Sequence, residues 1–300
     1  MDIRILKYFL EIAKEQNITH AARNLHIAQP PLSRQLSNLE EELGTPLFIR
    51  SGKRMILTEE GRILKERAEQ IIGLVDRTAT EISYSAFGAG GTVYIGCTET
   101  VSSAMLPDWI ESFQKKYPNI TYNVWSGNSH DVIERLEEGL IDFAIVREPY
   151  NPENLEGVRI SCEPWCALIS LDSPLANTFG HSIQLEDLRN QNLIVPAIKS
   201  RKDEFYRWFD EINCPVNIIC EYAPIINAVY LVEKNVGIAI LPFSVNNVIA
   251  HRNVILKRIV PEIDSHVVIL TRKNKLLSHS ASRFLEHIYS HFPDDAMKAH

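Results

Sequence analysis

The sequence predicts an α/β protein in two parts, an N-terminal winged helix-turn-helix followed by a linker helix and then a larger two-lobed α/β domain. Three observations lead there. Between Asn17 and Gly44 a short helix is followed, across a tight turn, by a second helix with leucines at helical spacing; a basic hairpin comes directly after; and beyond Gly91 strand-like and helix-like stretches alternate. The implied boundaries are residues 1–58 for the winged module, 59–87 for the linker helix and 88–300 for the remainder. Within that remainder, one lobe takes about 88–161 and 267–300 and the other about 162–266.

The second helix of the N-terminal pair buries Leu32, Leu36, Leu39 and Leu43, one stripe of a 3.6-residue helix. Its front turn holds Gln29, Pro30, Pro31, Ser33 and Arg34, and proline is tolerated there because the first helical N–H groups have no partner. Gln29, Ser33, Arg34 and Ser37 then point outward, where a recognition helix meets base edges: Arg suits guanine and Gln adenine. In the preceding helix Thr19 is the expected cap, Ala21 and Ala22 are small enough for a close crossing, and His26-Ile27 make the turn. A leucine stripe with a polar outer face fits any amphipathic helix, so the hairpin that follows decides the reading.

That hairpin pairs Leu47 to Arg50 with Arg54 to Leu57 around Ser51-Gly52-Lys53. Arg50, Lys53 and Arg54 put three cations at one tip, suited to phosphate contacts or to the minor groove. From Thr58, an N-cap followed by Glu59 and Glu60, a helix is expected to run to about Ser85. Leu64, Ala68, Ile71, Val75 and Ile82 recur at heptad positions, the pattern of a short dimer seam. The alternative is that this face covers the protein's own core. The FGAGG at 87–91 ends the helix.

Beyond it, strands are expected at 93–96, 120–125, 143–146, 193–195, 216–220 and 236–241, and helices at 102–117, 130–139, 203–212 and 225–233. Such alternation implies parallel sheet with crossover helices, in which ligands bind at the carboxyl ends of strands beside helix N-termini. Three polar clusters fall at such places: Cys97 to Thr100, Ser126 to Ser129, and Lys199 to Arg201. Taken singly, each Ser, Thr or Asn reads as a helix cap; together, on both lobes, they read as a cleft. Arg147 with Lys199 or Arg201 is expected to supply positive charge for a carboxylate, and Glu99 to oppose it.

Composition places the 300 residues among ordinary globular proteins, at 45% hydrophobic and 23% charged, with no apolar run near the ~20 residues that span a bilayer and no signal-peptide core. A cytoplasmic protein with no membrane partner is expected. The net charge of −7 lies downstream of residue 58, because residues 1–58 hold eight Lys/Arg against six Asp/Glu. So modest a basic surplus implies that DNA affinity needs two copies of the module. Cys97, Cys162, Cys166, Cys214 and Cys220 lack the Cys-x-x-Cys spacing of a zinc site and read as reduced structural residues, with Cys162 and Cys166 as the alternative redox pair. No Ser/His/Asp or Cys/His set with a supporting motif appears, so an enzyme is not expected.

The run AARNLHIAQPPLSRQLSNLEEELGTPLFIRSGKRMILTEEG resembles the amino-terminal signature of LysR-type transcriptional regulators. Ala21-Ala22, Leu25, Gln29-Pro30, Leu32-Ser33-Arg34-Gln35, Leu39-Glu40, Leu43-Gly44, Leu47-Phe48, Arg50, Thr58 and Gly61 fall at the family's spacing. Ala28 departs from it, standing where many members carry a capping Ser, and Asn235-Val236-Gly237 replaces a commoner Gly-x-Gly. SGNSHDVIERLEEGLIDFAIV and YLVEKNVGIAILP are similar to segments of the family's effector domain, whose fold is like that of periplasmic solute-binding proteins. The resemblance implies that the linker helix pairs with a second copy and that Thr98, Thr100, Asn128, Ser129 and Ser200 line an effector cleft. It also implies a homodimer or homotetramer on double-stranded promoter DNA, a small-molecule effector, no cofactor or metal, and RNA polymerase as a candidate further partner.

Overall fold

The computed structural model describes residues 1–51, 54–87, 90–177 and 180–292, excepting the side chains of 80, 81, 83–87, 199 and 200. Two compact units follow one another, Met1–Gly88 and Ala89–His300.

The first unit contains α1 (Ile3–Glu15), α2 (Ile18–Asn24), α3 (Gln29–Leu43), the strands β1 (Phe48–Ser51) and β2 (Arg54–Leu57), and α4 (Glu59–Phe87). The cap of α2 is Asn17, not Thr19: its Oδ1 accepts the N–H groups of Thr19 and His20 at 2.9 and 3.2 Å. A side chain must stand one residue before the helix to reach back to those donors. Leu32, Leu36 and Leu39 are buried against Leu6, Phe9 and Ile12 of α1 and Ala21 and Ala22 of α2. Leu43 is 40% exposed, contrary to the expected four-leucine stripe. Gly44, at φ 71°, ends α3 there and turns the chain away before a fourth leucine reaches the core.

Thr58 Oγ1 accepts the Gly61 N–H at 2.9 Å, starting α4. A Cβ on Gly61 would stand 2.1 Å from the Leu47 carbonyl oxygen, so only glycine lets α4 lie this close to the hairpin. Ala68 is fully buried within the module's own core and Leu64 is half-buried against it. Ala68 is therefore not free for a seam. Among the described side chains of α4, the exposed large apolar ones are Ile63, Ile71, Leu74, Val75 and Ile82.

The second unit begins with β3 (Gly91–Thr98), α5 (Glu99–Ala104), α6 (Leu106–Lys116), β4 (Ile120–Gly127), α7 (Ser129–Glu137) and β5 (Phe143–Arg147). It continues through β6 (Leu155–Ser170), β7 (Ser182–Gln184), β8 (Asn192–Pro196), α8 (Lys199–Glu211), β9 (Asn217–Tyr222), α9 (Ile225–Glu233) and β10 (Ile238–Pro242). After a 3-10 turn at Phe243–Asn247 come β11 (Val254–Val260), β12 (Asp264–Arg272) and α10 (His279–Tyr289).

The strand order is β4-β3-β5-β12-β6-β10-β8-β9, with β11 beside β6 and β7 beside β11. Parallel pairing holds where expected, among β3, β4 and β5 and among β8, β9 and β10. The sheet as a whole is mixed, because β6, β11 and β12 pair antiparallel, and β6 runs from one lobe into the other. Its first part pairs with β12 as far as Pro164, and from Trp165 onward it pairs with β10 and β11. The helix expected over 102–117 is two helices meeting at Met105, since Pro107 cannot donate within a continuous helix. The strand expected from Val236 starts at Ile238, after Asn235 turns at φ 55°.

Candidate functional site

Two places gather the polar residues singled out above. On the first unit, His26 at φ 54° and a 3.0 Å bond from the Ile27 N–H to the Ala22 carbonyl close the turn between α2 and α3. Ala28 gives α3 no side-chain cap, and prolines occupy its first turn. Gln29, Pro30, Pro31, Arg34 and Ser37 are exposed and Ser33 is half-exposed along the front of α3. Arg50 and Arg54 are exposed on the hairpin, where β1 and β2 pair from Phe48 with Leu57 to Ser51 with Arg54. Lys53 lies outside the described residues. A contact the sequence did not signal fixes the hairpin to α3: Glu40 Oε1 accepts the N–H groups of Leu47 and Phe48 at 2.8 and 3.3 Å. The cationic strands thus follow the orientation of the helix.

On the second unit a cavity of about 520 Å³ opens where β3, β5, β8 and β10 end, and it is lined by Thr98, Thr100, Asn128, Ser129, Arg147 and Arg201. Six of the seven residues predicted for the cleft therefore share one space. The side chain of the seventh, Ser200, lies outside the described residues, as does that of Lys199. Trp165, Tyr222, Ile198, Ile225, Pro196 and Pro242 supply apolar walls that the sequence reading did not foresee. The volume suits a small molecule.

The charges are already engaged. Arg147 is buried, ion-paired with Glu163, and donates from Nη2 to Thr100 Oγ1 at 2.9 Å and to Ser244 Oγ at 3.0 Å. Burial pulls its guanidinium below the ordinary arginine value, and Glu163 opposes that shift. Arg201 donates to Glu204 at 2.7 Å and to the Glu148 carbonyl. The positive charge expected to be free for a carboxylate is thus balanced within the protein. Glu99, expected to repel an acid, instead accepts the Ile225 N–H at 2.7 Å and caps α9. Asn128 caps α7 through the Asp131 N–H at 3.0 Å, whereas Ile198, in the cap position before α8, offers no side-chain cap. Burial pushes the Tyr222 phenol up, keeping it protonated.

Residues 3–62 match the family described as bacterial regulatory helix-turn-helix protein, lysR family, and residues 88–293 match the LysR substrate binding domain. The chain belongs to the LysR family. The HTH-type transcriptional regulator BsdA of Bacillus subtilis (strain 168) is 33% identical over 248 residues, which cover 81% of this chain and 84% of that one. The crystal structure of CbnR, a LysR family transcriptional regulator, superimposes with a TM-score of 0.81 at 26% identity, covering 98% of this chain and 100% of that one. Full-length CbnR complexed with its target DNA gives 0.79 at 26% identity, over 97% and 99% of the two chains. This LysR-type protein is a DNA-binding transcriptional regulator with an effector-binding domain, and not an enzyme. Among the described residues no helix is long and apolar enough to cross a membrane.

Proposed function

We propose that this LysR-type regulator reads promoter DNA in the cytoplasm with Gln29, Ser33, Arg34 and Ser37 of α3 in the major groove, and that Arg50, Lys53 and Arg54 hold the adjacent backbone or minor groove. Two or four copies assemble, pairing along the exposed face of α4 that carries Ile71, Leu74, Val75 and Ile82. A small effector enters the cleft between Thr98, Asn128 and Ser129 on one lobe and Ile198 and Arg201 on the other, and its binding changes the DNA contacts. The DNA complex of CbnR supports the reading for a chain of the same fold. The observation that carries it is the exposure of Gln29 and Arg34 at the front of α3 while Leu32, Leu36 and Leu39 are buried behind them.

Anisotropy titrations against operator and mixed-sequence duplexes test it. Arg34→Ala should weaken operator binding by about 1 to 3 kcal/mol and relax base preference. Arg50→Ala should weaken both duplexes alike and lower the salt dependence. Base preference that followed Arg50 and not Arg34 would reverse the assignment.

A further inference from the structure

Five buried side-chain polar atoms outside the Arg147 ion pair lack a hydrogen-bond partner among the described residues: Thr98 Oγ1, Tyr122 Oη, Arg135 Nε, Trp165 Nε1 and Ser265 Oγ. Of these, only those of Thr98 and Trp165 belong to residues that line the cleft. Buried donors are rarely left unpaired, because the lost hydration is not repaid unless a partner arrives. Thr98 is 8% exposed and Trp165 2% exposed. They belong to opposite lobes, Thr98 at the end of β3 and Trp165 at the point where β6 begins to pair with β10.

The indole is fixed in place. Phe205 meets it edge-on at 5.1 Å and 88°, the Arg201 guanidinium lies over it at 5.5 Å, and the Trp165 backbone N–H donates to the Ile263 carbonyl at 2.8 Å. An indole N–H only donates, whereas a threonine hydroxyl can donate or accept, so an oxygen acceptor is the chemistry that suits both. Arg147, Arg201, Glu99 and Asn128 already have protein partners, and Ile198, Ile225, Pro196 and Pro242 offer only apolar walls.

We propose that Trp165 Nε1 and Thr98 Oγ1 together hold one oxygen acceptor of the effector between the lobes, which makes the effector a molecule with an apolar body and a carboxylate or carbonyl end. The inference rests on the cleft reading above. Trp165 then selects the ligand, and its engagement from the second lobe ties occupancy to closure on Thr98.

The test uses the full-length chain and three probes on one ring: cyclohexanecarboxylate, cyclohexyl methyl ketone and cyclohexylammonium, which can only donate. Thermal shift and calorimetry should show that an acceptor probe binds and the ammonium does not, and whether carboxylate or ketone binds more tightly identifies the acceptor. Trp165→Phe should weaken the acceptor probe roughly tenfold, and Thr98→Val by a smaller factor, as expected for one lost hydrogen bond each. Thr98→Val carries the test by itself if Trp165→Phe does not fold. Ala223→Trp fills the cleft and should abolish binding. Acceptor binding that is lost in Ala223→Trp but unchanged by the Thr98 and Trp165 substitutions overturns this inference alone, as does preferred binding of the ammonium. No binding by any probe overturns this inference alone, and binding indifferent to Ala223→Trp overturns the cleft reading and this inference with it.

Discussion

The Glu99 carboxylate accepts the backbone N–H of Ile225 at 2.7 Å, so a residue of one lobe caps a helix of the other. Helix α9 has no cap of its own, since Pro224 precedes it. A carboxylate there both fills a free donor and opposes the positive end of the helix dipole. Glu99→Ala should cost about 1 to 2 kcal/mol, and Glu99→Gln, which keeps an acceptor without the charge, about 0.3 to 1 kcal/mol. Denaturant melts of the full chain read both values. Equal stability of all three proteins would mean that the lobes do not meet through this bond.

Arg147, buried in the wall of the cleft, pairs with the part-buried Glu163 behind it. Removing Arg147 takes the cation from Glu163, which is part-exposed and still accepts the Ser244 N–H at 2.6 Å, so Arg147→Met should destabilise by about 1 to 3 kcal/mol. Arg147→Met with Glu163→Gln should recover a large part of that loss. Thr100→Val removes an acceptor from the same arginine and should lower stability by about 1 kcal/mol or more, so it acts on the scaffold as well as on the ligand. A stable Arg147→Met protein would contradict the pairing.

The exposed face of α4 separates assembly from folding. Ile71→Glu or Val75→Glu should break pairing while leaving the winged module folded, because both residues are over a third exposed in one copy. Ala68→Glu places a charge in the module's own core and should unfold it. Sedimentation and circular dichroism distinguish the cases. Full assembly of the Ile71 and Val75 variants would move the interface off this face.

The cysteines should differ sharply in reactivity. Cys162 is exposed, whereas Cys97, Cys166 and Cys214 are buried. Burial pushes the Cys166 thiol up to about 12, which leaves roughly one part in ten thousand as thiolate at pH 8. Burial and the neighbouring carboxylates Asp264, Glu262 and Glu163 also raise Cys162, so it should react ahead of the three buried thiols but slowly, and faster as the pH rises. Mass spectrometry after timed alkylation reads the order. Cys162 and Cys166 stand four residues apart on one extended strand, about 13 Å, well beyond the reach of a disulfide. Fast labelling of Cys166 in the folded protein would refute this order.

What was legible in the sequence followed from periodicity and from turn chemistry. The α3 leucines, the hairpin and the strands before Thr98, Asn128 and Arg147 each carry an uninterrupted local pattern, and six of the seven residues predicted for the cleft line one cavity. Strand β6 was missed because it changes surroundings midway. Glu156, Arg159 and Glu163 interrupt its apolar run, and Pro164 stands at the crossing between lobes. Trp165, Glu163 and Ser244 were hidden with it, as was the balancing of Arg147. The assignment of Ala68 to a seam failed because a heptad says that a face is apolar and leaves open which surface covers it. Glu99 illustrates the same limit, since its charge is plain in the sequence but its partner lies 126 residues away.

The central claim is sequence-specific DNA recognition by α3, and selection of bound duplexes from a random pool by the full-length protein tests it most directly. The account predicts enrichment of a two-fold symmetric site with half-sites separated by whole helical turns, and loss of its consensus bases in the Arg34→Ala protein. A pool that stays random after repeated rounds, or the same consensus from the Arg34→Ala protein, would contradict it.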